Sequence, residues 1–218
     1  MEWNSIDSVF LDMDGTLLDL NYDNHFWLSH VPRRYAEKHD LSVEESKQRL
    51  VARYKSMEGR LQWYCVDYWT HELGLDIARL KREVEHLIAV HPRVDELLTQ
   101  LRAVGKRTVL VTNAHRTSLD IKMHRTGLDT HFDAIVSAHD FGIAKEQAGF
   151  WDSLQRVEAF SPKHTLLVDD SLAVLRAARQ YGIAHLLAVR KPDSVQPERS
   201  LDEFPSISGL SDLVSQIV

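Results

Sequence analysis

The sequence predicts an α/β protein, a doubly wound parallel sheet with an inserted α-helical cap, and two observations carry that prediction. From His91 onwards, short runs of strand formers alternate with helical stretches, the rhythm of a parallel sheet covered on both faces. Before that, between the apolar run Val9-Phe10-Leu11 and the next strand at Arg107–Thr112, about seventy residues read as helix throughout. This intervening stretch holds five of the six tyrosines and three of the five tryptophans, an aromatic interior of its own. The expected division is an α/β core of residues 1–18 and 89–218 and a helical insertion of residues 19–88.

Each element has a local reason. The first apolar run stops at Asp12-Met13-Asp14-Gly15-Thr16, where strand alternation points both carboxylates the same way and glycine lets the backbone turn sharply. Ser42-Val43-Glu44-Glu45 fits a capping box opening a helix towards Met57. Leu61, Tyr64, Cys65, Tyr68 and Trp69 recur at helical spacing up to Gly74, and a further helix is expected over 76–88. Pro92 is placed for the first turn of a helix ending near Gly105. A strand over Arg107–Thr112 then leads to Asn113 and a helix reaching Arg125 and Gly127. The remaining pattern is a strand at Ala134–Ser137, a helix over 145–157, a strand over 165–168 ending in Asp169-Asp170, a helix over 171–181 and a strand over 184–189. Residues 190–205, with three prolines, read as irregular, and a short helix from Gly209 closes the chain.

Composition narrows the function. The net charge of −6, spread without long single-sign blocks, gives no footprint for a nucleic-acid polymer or an anionic membrane surface. The single cysteine, Cys65, allows no internal disulfide and fits a reducing compartment; its aromatic surroundings read as helix core. No apolar run approaches the roughly 20 residues of a membrane helix, and no basic leader precedes an apolar stretch, so a cytoplasmic protein is expected; a monomer is expected as well. The 12 histidines show no tight ligand spacing and read as structural or surface residues.

Ligands of such sheets sit beyond the carboxyl ends of the strands, and three of those ends are polar here: Asp12 and Asp14, Thr112 and Asn113, Asp169 and Asp170. Two carboxylates repel by about 4 kcal/mol at about 4 Å in a medium of effective dielectric near 20, so their convergence calls for a cation. Oxygen-only ligands favour a hard ion, Mg2+ with Mn2+ as the alternative. A carboxylate is also a nucleophile towards phosphate, given alignment and neutralisation of the equatorial oxygens. Thr112, backbone N–H groups and Lys145, just after Phe141-Gly142-Ile143-Ala144, are candidates for that task. Taken one at a time, each motif has a plainer alternative: a solvated Asp-x-Asp-Gly turn, Asp170 as a helix cap, and Lys145 as an exposed residue opening a helix.

Four motifs in order are more specific. Asp-x-Asp-Gly-Thr, strand-Thr-Asn, Lys and strand-Asp-Asp resemble the haloacid dehalogenase superfamily of phosphatases, across residues 1–18 and 89–218. The resemblance implies Asp12 as nucleophile, Asp14 as general acid and then base, Thr112 and Asn113 as phosphate ligands, and Lys145 as the cation steadying Asp12 and phosphate. It also implies a Mg2+ site made by Asp12, Asp14 through its backbone carbonyl, Asp169 and Asp170. Glu146 departs from the proline that follows the lysine in many relatives. A carboxylate at Asp14 favours phosphate chemistry over carbon–halogen cleavage. A cap in this position implies a small phosphorylated metabolite as substrate.

Asp19-Leu20-Asn21-Tyr22-Asp23-Asn24-His25-Phe26-Trp27, the stretch from Trp63 to Trp69, and the run Leu110-Val111-Thr112-Asn113-Ala114-His115 resemble the purine 5′-nucleotidases of this superfamily that act on GMP and IMP. That resemblance allows a cap aromatic to stack on the base while Asn24 or Asp67 reads its edge, although aromatics at this spacing also serve as helix core. A sugar-phosphate or glycolate-like phosphatase, a phosphomutase and a non-catalytic scaffold stay open as alternatives.

Overall fold

The computed structural model describes residues 2–217. Strand β1 (Ser8–Leu11) is buried along its whole length, as a central parallel strand must be. The chain then forms the helical insertion: α1 (Asn21–His25), a π-helical turn over Phe26–His30, α2 (Val31–His39), α3 (Val43–Met57), α4 (Val66–Leu73) and α5 (Ile77–Glu83). Thereafter come α6 (Val94–Ala103), β2 (Arg107–Thr112), α7 (Arg116–Thr126), β3 (Ala134–Ser137), α8 (Phe150–Val157), β4 (Thr165–Asp169), α9 (Leu172–Tyr181), β5 (His185–Val189), β6 (Ser206–Ile207) and α10 (Ser211–Val214).

The six strands pair in parallel in the order β3-β2-β1-β4-β5-β6. Strand β1 therefore lies between β2 and β4, with Leu11 beside both Leu110 and Val168. This is the point where the strand order reverses and where such sheets open a crevice at their carboxyl ends.

Alternation along the strands feeds two apolar layers. Phe10, Val109, Val111 and Leu167 pack with Phe150, Leu154, Val174 and Ala178 of α8 and α9. Val9, Leu11, Leu110 and Val168 face the other way, onto Leu97, Leu101, Leu119 and Leu213. This second layer continues into the insertion through Tyr22, Phe26, Leu50, Trp69 and Ile77.

The capping box is formed as predicted, with Ser42 Oγ accepting from the Glu45 N–H at 3.2 Å and the Glu45 carboxylate accepting from the Ser42 N–H at 3.1 Å. Other boundaries differ for identifiable reasons. The helix expected through Leu61 and Trp69 is interrupted at Cys65, which is extended (φ −86°, ψ 114°) and opens α4 as its N-cap. The helix expected over 76–88 stops at Glu83, because Val84 leaves the helical region. Helix α6 begins after Pro92 rather than with it, since Arg93 takes a positive φ of 62°. The helix expected from Lys145 starts only at Phe150, behind Gly149 at φ 89°, so Lys145 lies in a loop. Strand β6 was not foreseen; it is a two-residue edge strand directly after Pro205.

Candidate active site

The site starts where β1 ends. The Asp12 N–H donates to the Val168 carbonyl at 3.0 Å, which carries the ladder one residue past the strand and fixes the direction of its side chain. Gly15 then turns the chain at φ 87°. A Cβ there would lie 2.9 Å from both Asp170 Cγ and Pro192 Cβ, so the position admits no side chain.

Lys145 is the electrostatic centre. Its buried ammonium donates to Asp12 Oδ1 at 2.5 Å, to Asp169 Oδ2 at 2.7 Å and to the Val111 carbonyl at 2.9 Å, which uses every donor it has. Burial alone would depress its pKa, but Asp12 and Asp169 hold it well above the ordinary lysine value. Burial pushes Asp12 up to about 6 against the pull of Lys145. Burial, with Asp169 beside it, also holds Asp170 well above the carboxylate range.

Oxygens of Asp12, Asp169 and Asp170 lie within 4.8 Å of one another. Asp12 and Asp169 share one buried lysine, and the Arg199 guanidinium lies 3.4 Å from the Asp170 carboxylate. The cluster is short of positive charge and offers oxygen donors alone, which fits a hard divalent cation.

The Asp14 carboxylate belongs to a different group. Its Oδ1 accepts from Lys122 Nζ at 2.6 Å; Lys122 also donates to Asp23 Oδ2 at 2.6 Å, and Lys81 donates to Asp23 Oδ1 at 3.1 Å. Burial pushes Asp14 up to about 6, with Lys122 opposing the shift. Asp23 is partly buried, which opposes its ionisation, yet Lys122 and Lys81 together hold it below its ordinary value.

Thr112 and Asn113 are buried at the end of β2. Thr112 Oγ1 accepts from the Ala114 N–H at 3.0 Å. Asn113 is held at both ends of its amide, with Oδ1 accepting from the Lys145 N–H at 2.8 Å and Nδ2 donating to Glu146 Oε2 at 2.8 Å. The other oxygen of Glu146 accepts from the Tyr64 hydroxyl at 3.1 Å. The residue that departs from the family pattern thus links the insertion to a candidate phosphate ligand.

All seven residues singled out in the sequence, Asp12, Asp14, Thr112, Asn113, Lys145, Asp169 and Asp170, line one cavity of about 470 Å³. The insertion adds Trp27, Tyr54, Trp63, Tyr64 and Trp69 to its wall. These rings also pack on one another, with Tyr54 and Trp69 edge to face at 5.1 Å and Trp27 and Tyr54 at 5.5 Å, so they are core and wall at once. Asn24 lines the cavity and donates to Asp193 Oδ2 at 2.7 Å. Asp67 does not: its side chain is 81% exposed and faces His115, which removes it as a reader of the substrate.

Sequence reasoning missed Lys122, Asp23 and Lys81. For Lys122 a signal existed. It stands between Ile121 and Met123, one turn after Ser118, on a helix whose middle residues are buried, so it could not be solvated like an ordinary helical lysine. Asp23 and Lys81 carry no comparable local sign.

Fold and site together define a hydrolase with its carboxylates at the switch point of a parallel sheet. Residues 6–182 match the haloacid dehalogenase-like hydrolase family, and the chain belongs to that family. It is 38% identical over 216 residues to the GMP/IMP nucleotidase YrfG of Escherichia coli (strain K12), covering 99% of this chain and 97% of that relative. Among solved structures, a HAD phosphatase from Thermococcus onnurineus superposes with a TM-score of 0.81 at 20% identity, over 97% of each chain. An L-2-haloacid dehalogenase from Xanthobacter autotrophicus gives 0.67 at 15% identity, over 97% of this chain and 98% of that one; both share the fold. Among the described residues no helix is long and apolar enough to cross a membrane.

Proposed function

We propose that this enzyme is a Mg2+-dependent 5′-nucleotidase that dephosphorylates GMP and IMP, with a covalent phosphoryl intermediate on Asp12. The observation that carries the reading is the pairing of Asp12 with Lys145 next to an independently held Asp14, beneath a cavity walled by aromatic rings. Near-full-length identity of 38% to a GMP/IMP nucleotidase supports the purine specificity.

In this mechanism an Asp12 carboxylate oxygen attacks phosphorus as the bond to the nucleoside 5′ oxygen breaks. Asp14 gives that oxygen its proton, and a pKa near 6 leaves a usable fraction protonated close to neutrality. Asp14 then takes a proton from water, whose oxygen attacks the phosphoryl group, releasing inorganic phosphate and restoring Asp12. Lys145 holds Asp12 in line, while Thr112 and Asn113 steady the equatorial oxygens. Asp12, Asp169, Asp170 and the Asp14 carbonyl would hold Mg2+, which when bound supplies positive charge against the phosphate oxygens and keeps Asp12 ionised.

Residues 19–88 act as the cap and residues 1–18 and 89–218 as the core. Half-buried Trp27 and Trp63 offer faces for a purine, and the Tyr54 hydroxyl, buried in the wall without a partner, offers it a hydrogen bond. Phosphate release from GMP, IMP, AMP, pyrimidine monophosphates and sugar phosphates, with and without Mg2+, tests the reading. GMP and IMP should lead in a metal-dependent manner, and Asp12→Asn should lower turnover by at least about 10⁴-fold with the fold retained. Preference for sugar phosphates would overturn the substrate, and appreciable turnover by Asp12→Asn would overturn the mechanism.

A further inference from the structure

A second cluster of metal-ligating groups stands apart from the carboxylates. Cys65 Sγ and ring nitrogens of His115 and His139 lie within 4.8 Å of one another. The three come from separate parts of the chain. Cys65 is the N-cap of α4 in the insertion, His115 is the N-cap of α7 behind β2, and His139 sits in the turn Ala138–Asp140 behind β3. Sulfur and imidazole nitrogen suit Zn2+ and similar borderline ions, whereas the oxygens around Asp12 suit Mg2+.

His139 Nε2 is buried with no hydrogen-bond partner among the described residues, a polar atom left unmet beside this cluster. The rings of His115 and His139 meet edge to face at 4.8 Å. Asp67 Oδ2 lies 3.6 Å from His115 Nε2, and His115 Nδ1 accepts from the Thr117 N–H at 3.3 Å. Cys65 Sγ accepts from the Tyr68 N–H at 3.4 Å, a contact that also suits a metal-bound sulfur.

We propose that Cys65, His115 and His139 form a second metal site, for a thiolate-seeking divalent cation such as Zn2+, that fastens the insertion to the sheet beside Asn113. Asp67 orients His115, and water completes the coordination. The site is independent of which phosphate ester the enzyme prefers. Because Cys65 follows Tyr64, whose hydroxyl meets Glu146, and His115 lies just beyond Asn113, occupancy restrains the insertion where it touches the phosphate-binding loop.

The test uses Co2+ as an optical probe on the full chain, with Mg2+ in excess to fill the carboxylate site. Cys65 is the single cysteine, so a thiolate-to-cobalt charge-transfer band reports this cluster alone. One Co2+ per chain should produce the band, further Mg2+ should leave it unchanged, and Zn2+ should bleach it. Cys65→Ser should abolish it, and His139→Ala should weaken Co2+ binding by about 100-fold or more, both with wild-type circular dichroism. A missing band would overturn the site. So would a band that keeps its affinity in His139→Ala, since the sulfur would then be binding without the imidazole cluster.

Discussion

Two lysines, each almost without exposure, bridge carboxylate pairs under the same cavity, and they differ in what they connect. Lys145 joins Asp12, the residue after β1, to Asp169 of β4 and rests on the Val111 carbonyl of β2, so all its partners lie on the strands or directly at their ends. Lys122 joins Asp14, in the turn after β1, to Asp23 of α1 in the insertion, with the Tyr22 ring 5.2 Å away. Asp12, the proposed nucleophile, is therefore held from the sheet side alone. The proposed acid/base is held by an ion network that spans sheet and insertion, so its charge depends on where the insertion sits.

The largest effect is expected for Lys145→Met. Removing one partner of a buried ionic group costs about 3–5 kcal/mol, and turnover should fall by about 10³-fold or more as Asp12 loses its alignment. Urea unfolding and phosphate release measure the two losses; a change below tenfold in turnover would mean that Lys145 is structural only.

Lys122→Met should lower kcat/KM by about 10- to 100-fold and move its alkaline limb to higher pH. The sign follows from the site: removing the ammonium leaves burial unopposed, so Asp14 rises above about 6 and keeps its proton longer. Asp23→Asn should act in the opposite direction with a smaller, few-fold loss. The Asp23 charge raises Asp14, so deleting it lowers Asp14 and moves the same limb to lower pH. Parallel shifts in the two variants would break the comparison; opposite shifts would sharpen it.

The smallest perturbation is pH alone. Asp12 takes a proton below about 6 in the metal-free chain, and that proton competes with a cation for the same oxygens. Mg2+ affinity measured by calorimetry should be level above that value and weaken about tenfold for each pH unit below it.

What the sequence revealed follows from where the residues sit. Asp12, Asp14, Thr112, Asn113, Asp169 and Asp170 are the first polar residues after apolar strands, and a parallel sheet gathers such positions at one edge. Lys145 was legible from the loop Phe141–Ala144 that precedes it, although it was expected to open a helix that Gly149 holds back to Phe150. Lys122 was legible only from its apolar neighbours Ile121 and Met123, because a lysine inside a helix ordinarily faces water and its partner Asp23 lies far away in sequence. Cys65 read as helix core because its aromatic neighbours recur at helical spacing, while the extended backbone that makes it an N-cap has no such periodic mark. His115 and His139 were passed over because they are scattered in sequence and meet only through the pairing of β2 with β3.

The apolar layer that runs unbroken from Val9 and Leu11 into Tyr22, Leu50 and Trp69 also bears on how the chain is made. On the ribosome, β1 and the insertion emerge first, yet both strands that flank β1, and the helices that complete this layer, are synthesised later. Until β4 leaves the exit tunnel, the nascent chain carries an open strand edge and an aromatic surface with nothing to cover them. Fragments that end before Thr165 should therefore collect on holdase chaperones during translation, and the demand should vanish once that strand is added.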